Sequence, residues 1–272
     1  MRRVAVNGAG GRMGATVVAA IDAAPHFSLV GAVDPAHAGR RLGEFVPGVD
    51  EGTAGVTIVA SLDELASAAP EALVDFTRPG PALTAFRWCL AHEVHIVSGT
   101  TGIGRAEIEE LQGEFSRDGA SHGVIAANFA ISAVLLVRLA EIAAAHFDGV
   151  EIIELHHDNK RDAPSGTALE TARRIAAARA AAGREPRADP TTEEVVAGAR
   201  GGVGPGEIHL HSVRLPGLVA HEEVIFGAAG QSLTLRQDSY DRSSFMPGVL
   251  AALARIEELP GLTIGLDAVL GL

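Results

Sequence analysis

A glycine-rich segment between a strand pattern and a helix pattern constrains the fold of this chain more than any other feature. The segment Asn7-Gly-Ala-Gly-Gly-Arg-Met-Gly14 follows the apolar run from Arg3 to Asn7 and opens a helical stretch. Glycines let the backbone approach a pyrophosphate, and the first helical turn offers free N–H groups and a favourable dipole. Asp34 lies 20 residues beyond Gly14 at the end of the next strand pattern, where an acid binds an adenosine ribose. This context predicts a dinucleotide-binding loop rather than a merely structural turn.

Short apolar runs alternate with helix patterns over the first 130 residues. The strand candidates are Arg3 to Asn7, Ser28 to Val33, Ala72 to Phe76, Val94 to Val97 and Gly123 to Ala126. Strands separated by helices pair in parallel through right-handed crossovers. We therefore expect an α/β fold that begins with a Rossmann-like, doubly wound parallel sheet.

A different pattern begins near Ala130. The chain then shows a helix, a strand, an alanine-rich helix and three more strands, at Ile131 to His146, Val150 to His156, Ser165 to Ala182, Glu207 to Leu215, Leu218 to Phe226 and Gln231 to Gln237. Short turns between the last strands favour antiparallel pairing. Residues 131–240 are therefore expected to form an α+β C-terminal domain with a mostly antiparallel sheet, while the tail from Ser243 to Leu272 could join either domain.

Composition and charge narrow the range of partners. The formal net charge is -12, whereas nucleic acids and anionic membranes favour a basic face. The single cysteine, Cys89, excludes an intrachain disulfide and lies in a helix pattern, where a buried apolar filler is favoured over a nucleophile. No run approaches about 18 uninterrupted apolar residues. We expect a cytoplasmic protein that binds neither nucleic acid nor membrane.

The only lysine, Lys160, stands against 21 arginines and follows two adjacent histidines, His156 and His157. Arginine cannot release its proton in a protein, so a chain that prefers arginine retains lysine where proton release is needed. Histidine titrates nearest to neutral pH, and three proton carriers therefore lie within five residues. Strand alternation places Glu154 and His156 on one face. The segment predicts a proton-transfer site, because solvated histidines before an ordinary helix would leave the lone lysine unexplained.

The start of the alanine-rich helix predicts an anion pocket. Ser165 suits the N-cap position, and Gly166 and Thr167 follow it in the first turn. Their N–H groups and the Thr167 hydroxyl can bind a carboxylate. This pocket supplies the local positive potential that an acidic protein needs for an anionic substrate.

Two later strand candidates end in small or polar residues, at Ser98-Gly-Thr-Thr-Gly102 and Ala126-Ala-Asn-Phe129. Open parallel sheets bind ligands at the carboxyl ends of their strands. Either segment alone would be a turn or a helix cap, but their joint position favours contact with cofactor and substrate. His209 and His211 share a strand face and could ligate a metal, yet no acid or cysteine stands at a recognised ligand spacing. A polar sheet face is therefore favoured there, and no metal is expected.

These motifs resemble those of the 4-hydroxy-tetrahydrodipicolinate reductase (dihydrodipicolinate reductase) family of bacterial and plant lysine and diaminopimelate synthesis. The stretch Glu154-Leu-His-His-Asp-Asn-Lys-Arg-Asp-Ala-Pro-Ser-Gly-Thr-Ala168 resembles the family signature E-x-H-H-x-x-K-x-D-A-P-S-G-T-A. Gly8 to Gly14, Gly99-Thr-Thr-Gly102, Ala126 to Phe129 and His221-Glu-Glu-Val-Ile-Phe226 resemble its other blocks. The resemblance covers almost the whole chain.

The resemblance implies an oxidoreductase that uses NADH or NADPH to reduce the cyclic imine derived from 4-hydroxy-tetrahydrodipicolinate, with loss of water, to tetrahydrodipicolinate. Hydride would go to ring C4 and a proton to C3, with His156 as general acid/base and Lys160 as proton donor. The substrate carboxylates would be held by His157, Lys160, Gly166, Thr167 and Thr101. The cofactor site would be lined by Gly8, Ala9, Gly10, Gly11, Arg12, Met13, Asp34, Gly99, Thr100, Thr101, Ala126, Ala127, Asn128 and Phe129.

The resemblance also implies an assembly and a domain plan. The family forms homotetramers through the sheet of its second domain. Its C-terminal segment packs onto the nucleotide domain, so residues 1–130 plus about 241–272 would form the dinucleotide-binding domain. Residues 131–240 would then bind substrate and form the oligomer.

Two departures from the family pattern bear on these expectations. Pro35 follows Asp34 where NADPH-leaning members have arginine, which leaves Arg40 and Arg41 as the nearest downstream cations. NADH should therefore be accepted at least as well as NADPH. Ala130 replaces a serine of many members and removes one possible hydrogen bond.

Two rival hypotheses stay open. The first is a related two-domain dehydrogenase that acts on aspartate or diaminopimelate, and the second is a catalytically silent NAD-sensing protein. The close spacing of His156, His157 and Lys160 argues against both, because the former enzymes lack it and a sensor does not need it.

Overall fold

A computed structural model describes residues 1–118 and 121–272 of the chain. These residues divide into two compact units. The first unit comprises Met1–Ile131 and Arg242–Leu272, and the second comprises Ser132–Asp241. Within the described ranges, no helix combines the length and the apolar character that a membrane crossing requires.

Strands and helices alternate along most of the described chain. The strands are β1 (Arg2–Asn7), β2 (Phe27–Val33), β3 (Ile58–Val59), β4 (Ala72–Asp75), β5 (His95–Ser98), β6 (Gly123–Ile125), β7 (Gly149–His156), β8 (Gly202–Val203), β9 (His209–Arg214), β10 (Ala220–Ala228), β11 (Gln231–Ser239) and β12 (Leu262–Ile264). The α-helices are α1 (Arg12–Asp22), α2 (Glu51–Gly55), α3 (Leu62–Leu65), α4 (Pro79–Ala91), α5 (Arg105–Asp118), α6 (Ile131–Ala144), α7 (Gly166–Ala181), α8 (Met246–Arg255) and α9 (Asp267–Leu270).

The first unit contains a seven-stranded parallel sheet in the order β12-β6-β5-β4-β1-β2-β3. This arrangement confirms the predicted doubly wound fold. The connections run in opposite directions on the two sides of β1, which makes its carboxyl end the expected ligand-binding edge. Strand β12 pairs with β6, so the C-terminal tail contributes to this unit. Cys89 is fully buried in the core of the unit, and burial raises the pKa of its thiol, as a filler role requires.

The second unit contains a five-stranded sheet in the order β11-β10-β7-β9-β8. Three of its four strand pairs are antiparallel, which confirms the predicted mostly antiparallel sheet. The expectation that β9 and β10 are antiparallel neighbours is wrong, because β7 lies between them and is parallel to β9. The connection after β9 passes the end of β7, where the Leu215 N–H donates to the His156 carbonyl at 3.2 Å.

One face of this sheet packs against α6 and α7, and its side chains change from apolar to polar along the strands. Ile152, Val224 and Leu210 occupy paired positions in an apolar core that also contains residues of both helices. Two residues further along the same strands, the paired positions are polar. We call this second set the polar row, and its members on β9, β7, β10 and β11 are Ser212, Glu154, Glu222 and Gln237.

Candidate active site

Close backbone approaches shape the glycine-rich loop. Gly8 has φ +81°, and a Cβ on Gly14 would lie 2.1 Å from the Gly8 carbonyl oxygen, so α1 begins tight against the loop. The N–H groups of residues 8–11 are bonded to neighbouring backbone or side-chain oxygens. The described residues provide no partner for the N–H groups of Arg12 and Met13 in the first turn of α1. Such a helix start fits a pyrophosphate.

Asp34 is fixed against this loop at the end of β2. Its carboxylate accepts hydrogen bonds from the N–H groups of Gly10 and Ala36, both at 3.0 Å. The side chain of His37 packs against the same loop, as shown by the 2.2 Å that would separate its Nδ1 from a Cβ on Gly10. Two acceptor oxygens therefore stand beside the loop in the place expected of a ribose-binding acid.

The two arginines downstream of Asp34, Arg40 and Arg41, differ in their surroundings. Arg40 donates to Glu44 at 2.9 Å and stacks over the Phe45 ring at 4.1 Å from its centroid. Arg41 is exposed. The Arg40 guanidinium is thus already paired, and the preference between NADH and NADPH stays a prediction.

A buried carboxylate that sequence reasoning missed organises the strand ends of the first unit. Asp75 is fully buried at the end of β4. It accepts hydrogen bonds from Asn7 Nδ2 at 2.9 Å, Thr77 Oγ1 at 2.7 Å, Ser98 Oγ at 2.8 Å and Thr100 Oγ1 at 2.7 Å. These donors follow or end β1, β4 and β5. The Thr100 side chain therefore holds the loop together, although the sequence predicted it only as a cofactor contact.

The remaining predicted contacts of the first unit lie on the loops after β5 and β6. Thr101 and Ala127 are exposed, whereas Ala126 and Phe129 are buried. The Gly99 position excludes any side chain, because a Cβ there would lie 2.0 Å from the Phe76 ring. Asn128 Oδ1 accepts from the Ala130 N–H at 2.9 Å and thus caps the turn before α6.

The second unit contains a histidine fixed by a buried ion pair. His156 Nδ1 lies 2.5 Å from Glu154 Oε2, which confirms that the two side chains share one strand face. Arg214 donates to both oxygens of Glu154, at 2.9 and 2.7 Å, and the Ser165 N–H donates to it at 3.3 Å. Burial alone would raise the pKa of Glu154, but the hydrogen bonds from His156 and Arg214 lower it to about 2. Glu154 is therefore a permanent anion that orients the imidazole.

Lys160 lies in the loop after β7 with its ammonium on a neighbouring acid. Lys160 Nζ donates to Asp162 Oδ1 and Oδ2 at 3.0 and 2.9 Å. This hydrogen bond lowers the pKa of Asp162. His157 is exposed in the same loop, and its carbonyl accepts from the Lys160 N–H at 3.2 Å. The structure thus brings His157 and Lys160 of the predicted site into one short turn.

Helix α7 begins as the sequence predicted. Ser165 is its N-cap, and the Ser165 hydroxyl accepts from the Ala168 N–H at 3.1 Å. The N–H groups of Gly166 and Thr167 have no partner among the described residues, and Gly166 is exposed. A 16-residue helix that starts with unpaired N–H groups provides a site for a carboxylate.

Thr101 is the one predicted substrate contact that belongs to the first unit. The other predicted substrate residues, His157, Lys160, Gly166 and Thr167, lie in the second unit. His209 and His211 face different carboxylates, Asp189 at 3.2 Å and Glu151 at 2.8 Å. That arrangement agrees with a polar sheet face.

Sequence reasoning also missed Arg214 and Glu222. Arg214 lies 60 residues beyond Glu154 and meets it only through the parallel pairing of β7 and β9. Glu222 falls in a block that resembles the family, but its buried position opposite Glu154 follows from the antiparallel register of β10. Side-chain alternation along β10 could have predicted that Glu222 lies on the face covered by the helices. The sequence does not show which strand lies next to β10.

Together the two units define a class of protein. A doubly wound sheet with a nucleotide-type glycine loop, and a second unit that holds an oriented histidine with a lysine in the loop after the same strand, are typical of an oxidoreductase that depends on a nicotinamide nucleotide. Two family models match the chain, "Dihydrodipicolinate reductase, N-terminus" over residues 2–129 and "Dihydrodipicolinate reductase, C-terminus" over residues 132–270. The chain belongs to the dihydrodipicolinate reductase family.

Individual relatives are similar over the full length. The 4-hydroxy-tetrahydrodipicolinate reductase of Corynebacterium aurimucosum is 45% identical over 270 residues, which cover 99% of each chain. That of Synechocystis sp. is 43% identical, with 98% of this chain and 97% of the relative covered. The dipicolinate-bound dihydrodipicolinate reductase from Paenisporosarcina sp. TG-14 aligns with a TM-score of 0.86 and 38% identity, covering 98% and 99% of the two chains.

A more distant structure supports the fold alone. The amine dehydrogenase from Mycobacterium smegmatis aligns with a TM-score of 0.63 at 15% identity. The family matches confirm the predicted oxidoreductase class and the use of NADH or NADPH. They also confirm the predicted reductase function in diaminopimelate and lysine synthesis, and neither rival hypothesis is favoured.

Proposed function

We propose that the second unit binds the cyclic imine derived from 4-hydroxy-tetrahydrodipicolinate and that His156 and Lys160 serve its reduction, with loss of water, to tetrahydrodipicolinate. The observation that carries the proposal is the His156 imidazole held by Glu154 in a unit that also offers Lys160 and the open start of α7. A dicarboxylate substrate is supported by the dipicolinate bound to the Paenisporosarcina relative.

In the first unit, the N–H groups of Arg12 and Met13 would bind the pyrophosphate, and Asp34 would bind the adenosine ribose. The other predicted contacts would line the rest of the cofactor site, namely Gly8 to Gly11, Gly99 to Thr101 and Ala126 to Phe129. When bound, the nicotinamide nucleotide supplies hydride-transfer chemistry, which no amino-acid side chain provides. The engagement of Arg40 with Glu44 supports acceptance of NADH at least as well as NADPH.

In the second unit, the carboxylates of the substrate would bind to the N–H groups of Gly166 and Thr167 and to His157. Because Glu154 accepts at His156 Nδ1, the proton that His156 exchanges with substrate or water would be on Nε2. Lys160 would deliver the proton to ring carbon, since an ammonium can release it and a guanidinium cannot. The carboxylate contact of Thr101 stays a prediction from the family resemblance.

The substitution His156→Gln tests the assignment. It removes the titrating imidazole, and turnover of the dihydrodipicolinate-type substrate should fall by about 100-fold or more, the usual contribution of a general acid/base. Dipicolinate should still bind, because its proposed carboxylate contacts remain. The matched control is His26→Gln at an exposed position of the first unit, which should leave turnover unchanged. Near-normal turnover of the His156 variant would refute the role.

We further propose a homotetramer that forms through the sheet of the second unit, as the family resemblance implies. The sheet face away from the polar row carries half-buried apolar side chains, including Ile153, Leu155 and Ile225. Light scattering on the purified protein should give four times the chain mass of 28.0 kDa. A monomeric mass at micromolar concentration would refute the assembly.

A further inference from the structure

Glu222 is a buried acid to which the proposed reaction gives no role. It is 3% exposed, and its Oε1 has no hydrogen-bond partner among the residues that the structure describes. It pairs across the strands with Glu154 on one side and with Gln237 on the other. Directly paired side chains of an antiparallel sheet have Cβ atoms about 5 Å apart. Two carboxyl groups therefore share one buried compartment.

The groups that face Glu222 provide no positive charge for it. From β7 it faces Glu154, and the Arg214 guanidinium and the His156 imidazole are already bound to that carboxylate. From β11 it faces the neutral amide of Gln237, which in turn lies 3.4 Å from Ser132 Oγ of α6. No described cation forms an ion pair with Glu222 itself. Two adjacent buried carboxylates without a second cation are costly, so one of the pair remains protonated.

The neighbouring helix shows which carboxyl group that is. Thr171 of α7 lies within hydrogen-bonding reach of Glu222, and its hydroxyl already donates to the Thr167 carbonyl at 3.0 Å. The Thr171 oxygen is therefore available as an acceptor for a protonated Glu222. Burial raises the pKa of Glu222 to about 7, and the negative charge of Glu154 acts in the same direction. Glu154, in contrast, keeps its charge far into the acid range.

We propose that Glu222 is a positioning residue of the reaction, which as an uncharged acid keeps the single negative charge of the polar row on Glu154, where that charge orients His156. The inference rests on the proposed role of His156 as general acid/base. The position of Glu222 also links the reaction to pH, because Glu222 loses its proton as the pH rises. The resulting second negative charge then stabilises the imidazolium form of His156 and extends the acidic form of the catalyst to higher pH.

The test compares the pH profiles of kcat/KM for the wild type and Glu222→Gln between pH 5.5 and 9. Glutamine imitates the uncharged acid, so turnover at pH 6 should stay within about two-fold of the wild type. The alkaline limb should move to lower pH by about one unit, as expected for one charge less at roughly 8 Å and an intermediate dielectric. The matched control is Glu170→Gln on the exposed surface of α7, which should move neither quantity.

Two outcomes overturn the inference while the proposed function stands. In one, the alkaline limb of the Glu222→Gln profile lies at the same pH as that of the wild type, which would mean that Glu222 only fills space. In the other, the folded variant loses more than ten-fold of its turnover at pH 6, so that a charged Glu222 is needed. If the variant does not fold, carboxyl carbon NMR of the wild type decides: titration above pH 6 supports the inference, and titration near 4.5 overturns it. Absence of turnover in the wild type would refute the proposed function itself.

Discussion

Removal of Arg214 should destabilise the fold by about 3 kcal/mol, because it leaves a buried carboxylate without its main partner. In Arg214→Met the Glu154 carboxylate loses two hydrogen bonds, of 2.9 and 2.7 Å, while it remains fully buried. Breaking such a pair costs about 3–5 kcal/mol. The pKa of Glu154 gives a similar figure: it falls from 4.5 to about 2, and each pH unit corresponds to about 1.4 kcal/mol. Part of this stabilisation of the Glu154 carboxylate comes from its hydrogen bond with His156.

The dependence on pH follows from the direction of that pKa. A carboxyl group whose pKa is lowered in the fold contributes stability above its ordinary value of 4.5, and this contribution is lost as the pH falls toward 2. The difference in the free energy of unfolding between the wild type and Arg214→Met should therefore be largest at neutral pH, for example at pH 7.5, and should shrink below about pH 4.5. Urea unfolding followed by far-ultraviolet circular dichroism at several pH values measures it.

Two further variants make this prediction refutable. Arg173→Met removes an exposed ion pair with Glu170 on α7 and should cost less than about 1 kcal/mol. The double variant Arg214→Met/Glu154→Gln no longer buries a charge and should recover part of the loss. The reasoning fails if Arg214→Met is no less stable than Arg173→Met, or if the deficit does not change with pH.

Three other substitutions have definite expected outcomes. Lys160→Arg keeps the charge but not proton donation, so turnover should fall by about 100-fold while NADH binding, followed by fluorescence titration, persists; unchanged turnover would make Lys160 a positioning charge only. Gly10→Ala should weaken NADH binding at least ten-fold, because its Cβ would lie 2.2 Å from His37 Nδ1, whereas Gly80→Ala, whose Cβ would contact nothing within 4 Å, should not. Asp34→Ala should raise KM for NADH more than KM for NADPH, and equal effects in steady-state assays would count against a ribose-binding acid.

The sequence predicted what local patterns encode. Alternation along β7 placed Glu154 and His156 on one face, which the structure confirms, whereas the proton-transfer role of the loop with the lone lysine stays a prediction. The serine before Gly166 predicted the start of α7, and the structure confirms it as the N-cap. These features depend on periods of two and 3.6 residues and on capping chemistry, which operate within a few positions of the chain.

What the sequence did not predict depends on strand neighbours. Arg214 reaches Glu154 because β9 lies beside β7 in parallel, whereas short turns had favoured β9 next to β10. Asp75 gathers donors from three strands that are adjacent only in the folded sheet. Glu222 becomes a buried neighbour of Glu154 through the register of β7 and β10. Long-range pairing of this kind has no local signal in the sequence.

Reduction of a dihydrodipicolinate-type substrate by a nicotinamide nucleotide can be measured directly. The most direct measurement is a coupled assay in which the substrate forms in situ from pyruvate and aspartate semialdehyde, with the absorbance of NADH and NADPH followed separately. We predict substrate-dependent oxidation, with NADH at least as effective as NADPH. If neither nucleotide is oxidised although binding of both is demonstrated, that prediction is contradicted.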